Sequence, residues 1–152
     1  MRKILFLIMA ISFASLVHAQ DTTSFNFTFN HLALSVKDVD RSIDFYKKVL
    51  NLKEITNRTK IEGIRWLSLG EDKELHLISI LKDPFSINKA IHPGLTTPDF
   101  DSFVKWLDVL KIAYSDWPGT SHTINSRADG VKQIYFQDPD GYWIEVNNIG
   151  QK

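Results

Sequence analysis

The sequence predicts an α+β fold of two tandem βαβββ modules forming a curved mixed sheet around a metal-binding trough. Three observations predict it. First, His31-Leu32-Ala33-Leu34-Ser35-Val36-Lys37-Asp38-Val39-Asp40 is echoed by His92-Pro93-Gly94-Leu95-Thr96-Thr97-Pro98-Asp99-Phe100-Asp101, each run opening on histidine and closing on aspartate at a constant offset. Second, each run leads into a segment with helical spacing and then into alternating apolar stretches. Third, the last alternating stretch of each half carries one metal-capable side chain between apolar neighbours, His76 in Leu75-His76-Leu77 and Glu145 in Ile144-Glu145-Val146. Duplicated modules usually pack about a local two-fold that brings equivalent positions together.

The elements follow in order. Residues 1–19 read as a signal peptide: Arg2 and Lys3 precede an apolar run, and Val17-His18-Ala19 offers the small residues a signal peptidase accepts. That run is short for a membrane span, so the expectation is a secreted or periplasmic protein beginning at Gln20, with no membrane association after cleavage. Residues 20–29 form an N-terminal segment, and residues 30–149 one domain: module one over 30–81, a linker over 82–90 and module two over 91–149.

In module one, alternation from Leu32 predicts a strand with Leu32, Leu34 and Val36 on one face and His31, Ala33 and Ser35 on the other. Asp38 or Asp40 caps a helix with Ile43, Phe45, Tyr46, Val49 and Leu50 at helical spacing, and Asn51 suits its left-handed exit. Residues 52–59, 64–69 and 74–81 read as strands, with Asn57 and Gly70-Glu71-Asp72-Lys73 as breaks.

In module two, residues 92–97 read as an edge strand, because Pro93 has no N–H to donate. Pro98-Asp99 opens a helix with Phe103, Val104, Trp106, Leu107 and Leu110 expected on its buried side. A short strand near 113–116, a long polar loop over 117–130, and strands over 131–136 and 142–147 complete the module. Asp138-Pro139-Asp140-Gly141 is a tight turn.

Composition excludes several classes. The whole chain is formally neutral and has no cysteine. Losing Arg2 and Lys3 leaves a slightly acidic protein without disulfides, a poor partner for nucleic acid. Strand parity places His31, His76, His92 and Glu145 on the face opposite the helix-packed residues. A lone carboxylate at Glu145 would lose hydration at a cost of several kcal/mol, which a divalent cation removes. Three imidazoles and a carboxylate suit Zn, Ni, Fe, Co or Mn. His122, in the long loop, is a candidate general acid or base, and Arg127 a candidate clamp for an anionic substrate; each has an ordinary surface reading as well. Trp66, Trp117 and Trp143 can wall a pocket, and packing accounts for them equally.

The stretches 30–36, Asp40-Arg41-Ser42-Ile43-Asp44-Phe45-Tyr46 and 136–145 together resemble the vicinal oxygen chelate superfamily of glyoxalase I, fosfomycin-modifying enzymes, extradiol dioxygenases and bleomycin-resistance proteins. The resemblance spans nearly all of 30–148. It implies metal ligands at His31, His76, His92 and Glu145, and an enzyme that binds two adjacent substrate oxygens on a divalent metal. Glu145 would then move the proton of an enediolate-like intermediate. The nearest enzymatic likeness is to glyoxalase I, a lyase. His76 stands where bacterial glyoxalase I usually has glutamate, and Ser35 and Ile80 stand where it holds glutathione with arginine and asparagine. The alternatives are an extradiol-type dioxygenase using two histidines and a glutamate on iron, and a non-enzymatic drug-binding protein. The expected partner is a small molecule. The linker permits the modules to pair within one chain or across a homodimer.

Overall fold

The computed structural model describes residues 27–81 and 86–150; the expected signal peptide and part of the linker lie outside them. Module one runs β1 (His31–Ser35), α1 (Val39–Leu50), β2 (Lys53–Ile55), β3 (Ile64–Gly70) and β4 (Lys73–Ile78). Module two runs β5 (Gly94–Thr96), α2 (Phe100–Leu110), β6 (Tyr114–Ser115), β7 (Asn125–Ser126), β8 (Lys132–Gln137) and β9 (Trp143–Asn147). The first sheet has the order β1-β4-β3-β2 and the second β5-β9-β8-β6, with β7 also on β8. In each, the first strand is parallel to the last and the other pairs are antiparallel. The repeated sequence has thus become a repeated topology.

Local chemistry explains the boundaries. Asp38 accepts hydrogen bonds from Asp40 N and Arg41 N, both at 3.0 Å, and starts α1. Asn51 ends it with φ 53° and an N–H returned to the Tyr46 carbonyl. Between β3 and β4 the chain reverses at Glu71 and Asp72, both at positive φ as a two-residue hairpin twist requires. Several strands are shorter than alternation suggests: β2 stops at Ile55, where Asn57 bonds back across its loop, and β5 begins only after Pro93. The loop expected over 117–130 contains the short strand β7.

One apolar core serves both modules. Leu34, Leu75 and Leu77 from the first sheet, Ile43, Tyr46 and Val49 from α1, Val104 and Leu107 from α2, and Ile134, Phe136, Ile144 and Val146 from the second sheet belong to a single buried cluster. Each such side chain contributes about 1.5–3 kcal/mol by leaving water. Polar ties cross the same boundary: Tyr46 Oη donates to Asp138 Oδ2 at 2.9 Å, Ser42 Oγ to Asp140 Oδ2 at 3.2 Å, and Tyr142 Oη to the Ser35 carbonyl at 2.9 Å. The modules therefore pack on one another within the chain.

Trp106 corrects the expected core. It is 42% exposed, with Nε1 donating to the Lys48 carbonyl at 3.3 Å. The buried stripe of α2 runs through Phe100, Val104 and Leu107, which turns Trp106 to the rim beside α1, where its indole N–H finds an acceptor.

Candidate functional site

Period-two alternation puts Leu75 and Leu77 into the core and Glu74 and His76 on the opposite face of β4. In register, His31 lies beside Glu74, Ala33 beside His76, and Trp66 across from His76. Adjacent strands bring the rings into a stack: Trp66 lies on His76 at 4.1 Å between centroids and 9° between planes, and His76 on His31 at 4.3 Å and 16°. The Arg58 guanidinium sits 4.6 Å from the Trp66 ring centroid. Trp66 is buried and its Nε1 has no hydrogen-bond partner.

Polar partners orient this pair of histidines. His31 Nδ1 is 2.8 Å from Asn30 Oδ1. His76 Nε2 is 2.8 Å from Glu74 Oε2, while Arg58 Nη2 donates to Glu74 Oε1 at 2.7 Å. The His76 hydrogen bond, then Arg58, holds the Glu74 carboxyl below the usual carboxylate range. As a carboxylate, Glu74 can only accept, so His76 Nε2 carries the proton of this hydrogen bond. Sequence reading missed Glu74 and Arg58. The signal for Glu74 was present, since it lies two residues from His76 on one strand and so on the same face.

In module two, Ile144 and Val146 enter the core and Glu145 emerges on the other face, 9% exposed. Its register partner Tyr135 donates to Oε2 at 2.7 Å, and Asn147 Nδ2 donates to Oε1 at 2.8 Å. Gln133 Nε2 in turn donates to Tyr135 Oη at 2.8 Å. Burial, then Glu145, pushes the Tyr135 phenol well above its ordinary value, so it remains a donor. His92 precedes β5 and lies edge-on to Tyr135 at 5.3 Å. Its Nδ1 donates to the Lys89 carbonyl at 2.7 Å, and its Nε2 lies 3.4 Å from Glu145 Oε2.

The four expected ligands therefore stand in two pairs, His31 with His76 and His92 with Glu145. Among the described residues no three His, Cys, Asp or Glu side chains are grouped to hold a metal ion. Trp66 forms part of the first pair's stack. Trp143 lies near the second, with Lys89 Nζ 4.7 Å from its ring centroid. His122 is placed elsewhere: its Nδ1 is 3.4 Å from Asp108 Oδ1 and its ring meets Tyr114 edge-on. Arg127 pairs with Asp129 at 2.8 Å on the surface, and its charge opposes, without overcoming, the upward shift of the Tyr135 phenol.

The donor chemistry of the second pair suits a cation. Two donors each about 2.1 Å from one ion at a roughly tetrahedral angle lie about 3.4 Å apart, and His92 Nε2 and Glu145 Oε2 have that separation. The partners of Glu145 besides His92 are neutral donors, and hydrogen bonds to Tyr135 and Asn147 are the outer support that ligating carboxylates need. In the first pair, His31 Nε2 and His76 Nδ1 are the nitrogens left without a described partner.

Comparison with known proteins agrees with this architecture. The chain is 28% identical over 124 residues to the metallothiol transferase FosB of Staphylococcus saprophyticus, covering 79% of this chain and 76% of that one. It is 27% identical over 151 residues to a lactoylglutathione lyase of Pseudomonas putida, covering 83% and 87%. Among solved structures, the lactoylglutathione lyase of Agrobacterium tumefaciens shares the fold with a TM-score of 0.62 at 18% identity, over 80% of this chain and 93% of that one. An integron cassette protein of V. cholerae does so with a TM-score of 0.63 at 23% identity, over 84% and 98%. A family model matches residues 28–146, which contain both histidine runs, both helices and both site-bearing sheets. The chain belongs to the Glyoxalase/Bleomycin resistance protein/Dioxygenase superfamily.

Proposed function

We propose that this chain is a metal-dependent enzyme of the glyoxalase type, a lyase or isomerase acting on a small substrate chelated through two neighbouring oxygens. His31, His76, His92 and Glu145 are its donor set. The observation that carries this reading is Glu145: a buried carboxylate whose described contacts are the His92 imidazole and two neutral donors, with no Lys or Arg among them. Burying an unneutralised carboxylate costs several kcal/mol, and a divalent cation offsets it. When bound, the ion supplies Lewis acidity toward substrate oxygens. Glu145 accepts the substrate proton, and Tyr135, held as a donor, orients the carboxylate and shares the charge on Oε2.

A single chain presents the donors as two separate pairs, so we assign the complete site to a homodimer in which the His31–His76 pair of one copy meets the His92–Glu145 pair of another. A complementation experiment tests this. His31→Ala and Glu145→Gln chains, each inactive alone, are co-refolded. Random pairing makes half the dimers mixed, each with one intact site of two, so about a quarter of wild-type activity returns. No recovery would assign all four donors to one chain.

A second reading, thiol transfer to an electrophile, is favoured by the likeness to the metallothiol transferase. Assays of metal-loaded protein with methylglyoxal plus thiol, and with fosfomycin plus thiol, separate the two: a lyase forms product only in the first, a transferase only in the second.

The reading includes export. The charged and apolar sequence of residues 1–19 and the small residues ahead of Gln20 support cleavage there. Intact-mass and N-terminal analysis of protein from the native host should find Gln20 first, outside the cytoplasm. Retention of Met1 in the cytoplasm would remove the signal-peptide assignment.

A further inference from the structure

Lys89 precedes His92 by one turn of chain and belongs to neither sheet. Its neighbours Asn88 and Ala90 are exposed. Asn88 folds the segment into a tight turn, its Oδ1 accepting from Ala90 N and its carbonyl from Ile91 N, both at 3.0 Å. The turn sends only the Lys89 side chain inward.

At the end of that side chain the ammonium meets three acceptors: Ser115 Oγ at 3.1 Å, the Trp117 carbonyl at 3.0 Å, and the Asp116 carbonyl. A lysine ammonium has three N–H groups, and these account for all of them. Aromatic rings enclose its remaining sides, with Tyr135 and Trp143 centroids 4.6 and 4.7 Å away and Trp117 at 5.7 Å. This cation is fully engaged by the protein, so it serves as a tie and leaves no proton for a substrate anion. It joins the inter-module segment to the loop that carries Trp117 and to the wall formed by Tyr135.

The main chain of the same residue performs a second task. The Lys89 carbonyl receives the His92 Nδ1 proton at 2.7 Å. The hydrogen bonds from Ala90 and Ile91 are internal to the turn, so the segment is tied down at its far end by the Glu145 N–H donating to the Pro93 carbonyl at 3.0 Å and at the Lys89 carbonyl by the Lys89 side chain.

We propose that Lys89 is a positioning residue whose anchored ammonium holds its own carbonyl in place, fixing His92 in the Nδ1–H tautomer with Nε2 free beside Glu145. As a statement about His92 it stands alone; its consequence for metal affinity rests on the proposed function. Carbonyl partners of ligating histidines set tautomer and orientation, and their loss typically costs 10–100-fold in metal affinity.

The test uses Lys89→Met, which preserves apolar packing on the rings and removes the three donors. Long-range 1H–15N spectra of the metal-free protein are expected to show His92 as a single Nδ1–H tautomer in the wild type and as a mixture in the variant. With zinc as the probe, the dissociation constant should rise about tenfold, with circular dichroism unchanged. His92 remaining in one Nδ1–H form in Lys89→Met would overturn the proposal. If Lys89→Met does not fold, Ser115→Ala, which removes one acceptor and keeps the lysine, must shift the same resonances in the same direction; unmoved resonances would equally overturn it. Wild-type protein that binds no zinc would remove the metal reading, while the tautomer measurement would still decide the role of Lys89.

Discussion

Glu145→Gln is expected to abolish nearly all turnover, by about 10²–10⁴-fold as for loss of a general base, with the fold retained. The amide is isosteric, so the strand neighbours Ile144 and Val146 keep their places in the core. What changes is charge and hydrogen-bond polarity. The carboxylate now accepts from Tyr135 Oη on one oxygen and Asn147 Nδ2 on the other. A glutamine must turn its NH₂ toward one of these donors. Toward Tyr135 the clash resolves by rotation of the hydroxyl, which can accept instead. Metal affinity falls as well, because an amide oxygen is a far weaker ligand than a carboxylate. Steady-state kinetics, metal analysis and a thermal melt on one preparation check the three statements together. A variant that binds metal and turns over like the wild type would remove Glu145 from the chemistry.

The second large effect falls on stability. Asp138→Ala should cost about 3 kcal/mol or more, since unpaired buried donors cost about 1–3 kcal/mol each. Three donors lose their acceptor: Tyr46 Oη on Oδ2 at 2.9 Å, and Asp140 N and Tyr142 N on Oδ1, both at 2.9 Å. Tyr46 is 2% exposed and Asp138 6%, so water does not easily replace the carboxyl. This loss is a large share of the roughly 5–15 kcal/mol that holds a domain folded. Asp138→Asn should be much milder. Its single carbonyl oxygen still accepts both backbone N–H groups, and the Tyr46 hydroxyl can turn to accept from the amide. Urea titrations of both variants provide the comparison, and equal losses would refute this division of labour between the two oxygens.

The same residue predicts a pH dependence. Burial, outweighing its hydrogen bonds, raises the Asp138 carboxyl above the ordinary carboxylate value. The native state therefore holds this proton more tightly than the unfolded chain. Its contribution to stability is present below the unfolded pKa and is lost as pH rises through the raised native pKa. Relative to Asp138→Asn, wild-type stability should fall with rising pH across that window, and a flat difference would contradict it.

Much of the candidate site was legible because parity along a strand is local. His31 apart from Leu32 and Leu34, and Glu145 apart from Ile144 and Val146, follow from alternation of side chains about an extended backbone. The same rule could have found Glu74. Other residues were opaque for a physical reason. His122 and Arg127 lie in a loop without period, and their partners, Asp108 and Asp129, depend on how that loop settles. Lys89 sits in the linker, where composition cannot distinguish a half-buried, anchored cation from a solvated one until Ser115, Trp117 and Tyr135 have been folded around it.

By itself, then, the sequence determined the repeated modules, the caps at Asp38 and Asn51, the turn at Asp138 and the strand faces on which His31, His76 and Glu145 stand. These depend on the dihedral preferences and hydrogen-bonding reach of a few neighbouring residues. Tertiary structure alone decided that the two modules share one core, that Trp106 lies at its rim, that Asp138 reaches Tyr46, and that the candidate ligands form two pairs within one chain. Those outcomes depend on which apolar surfaces, far apart along the chain, exclude water together, and no local pattern encodes that choice.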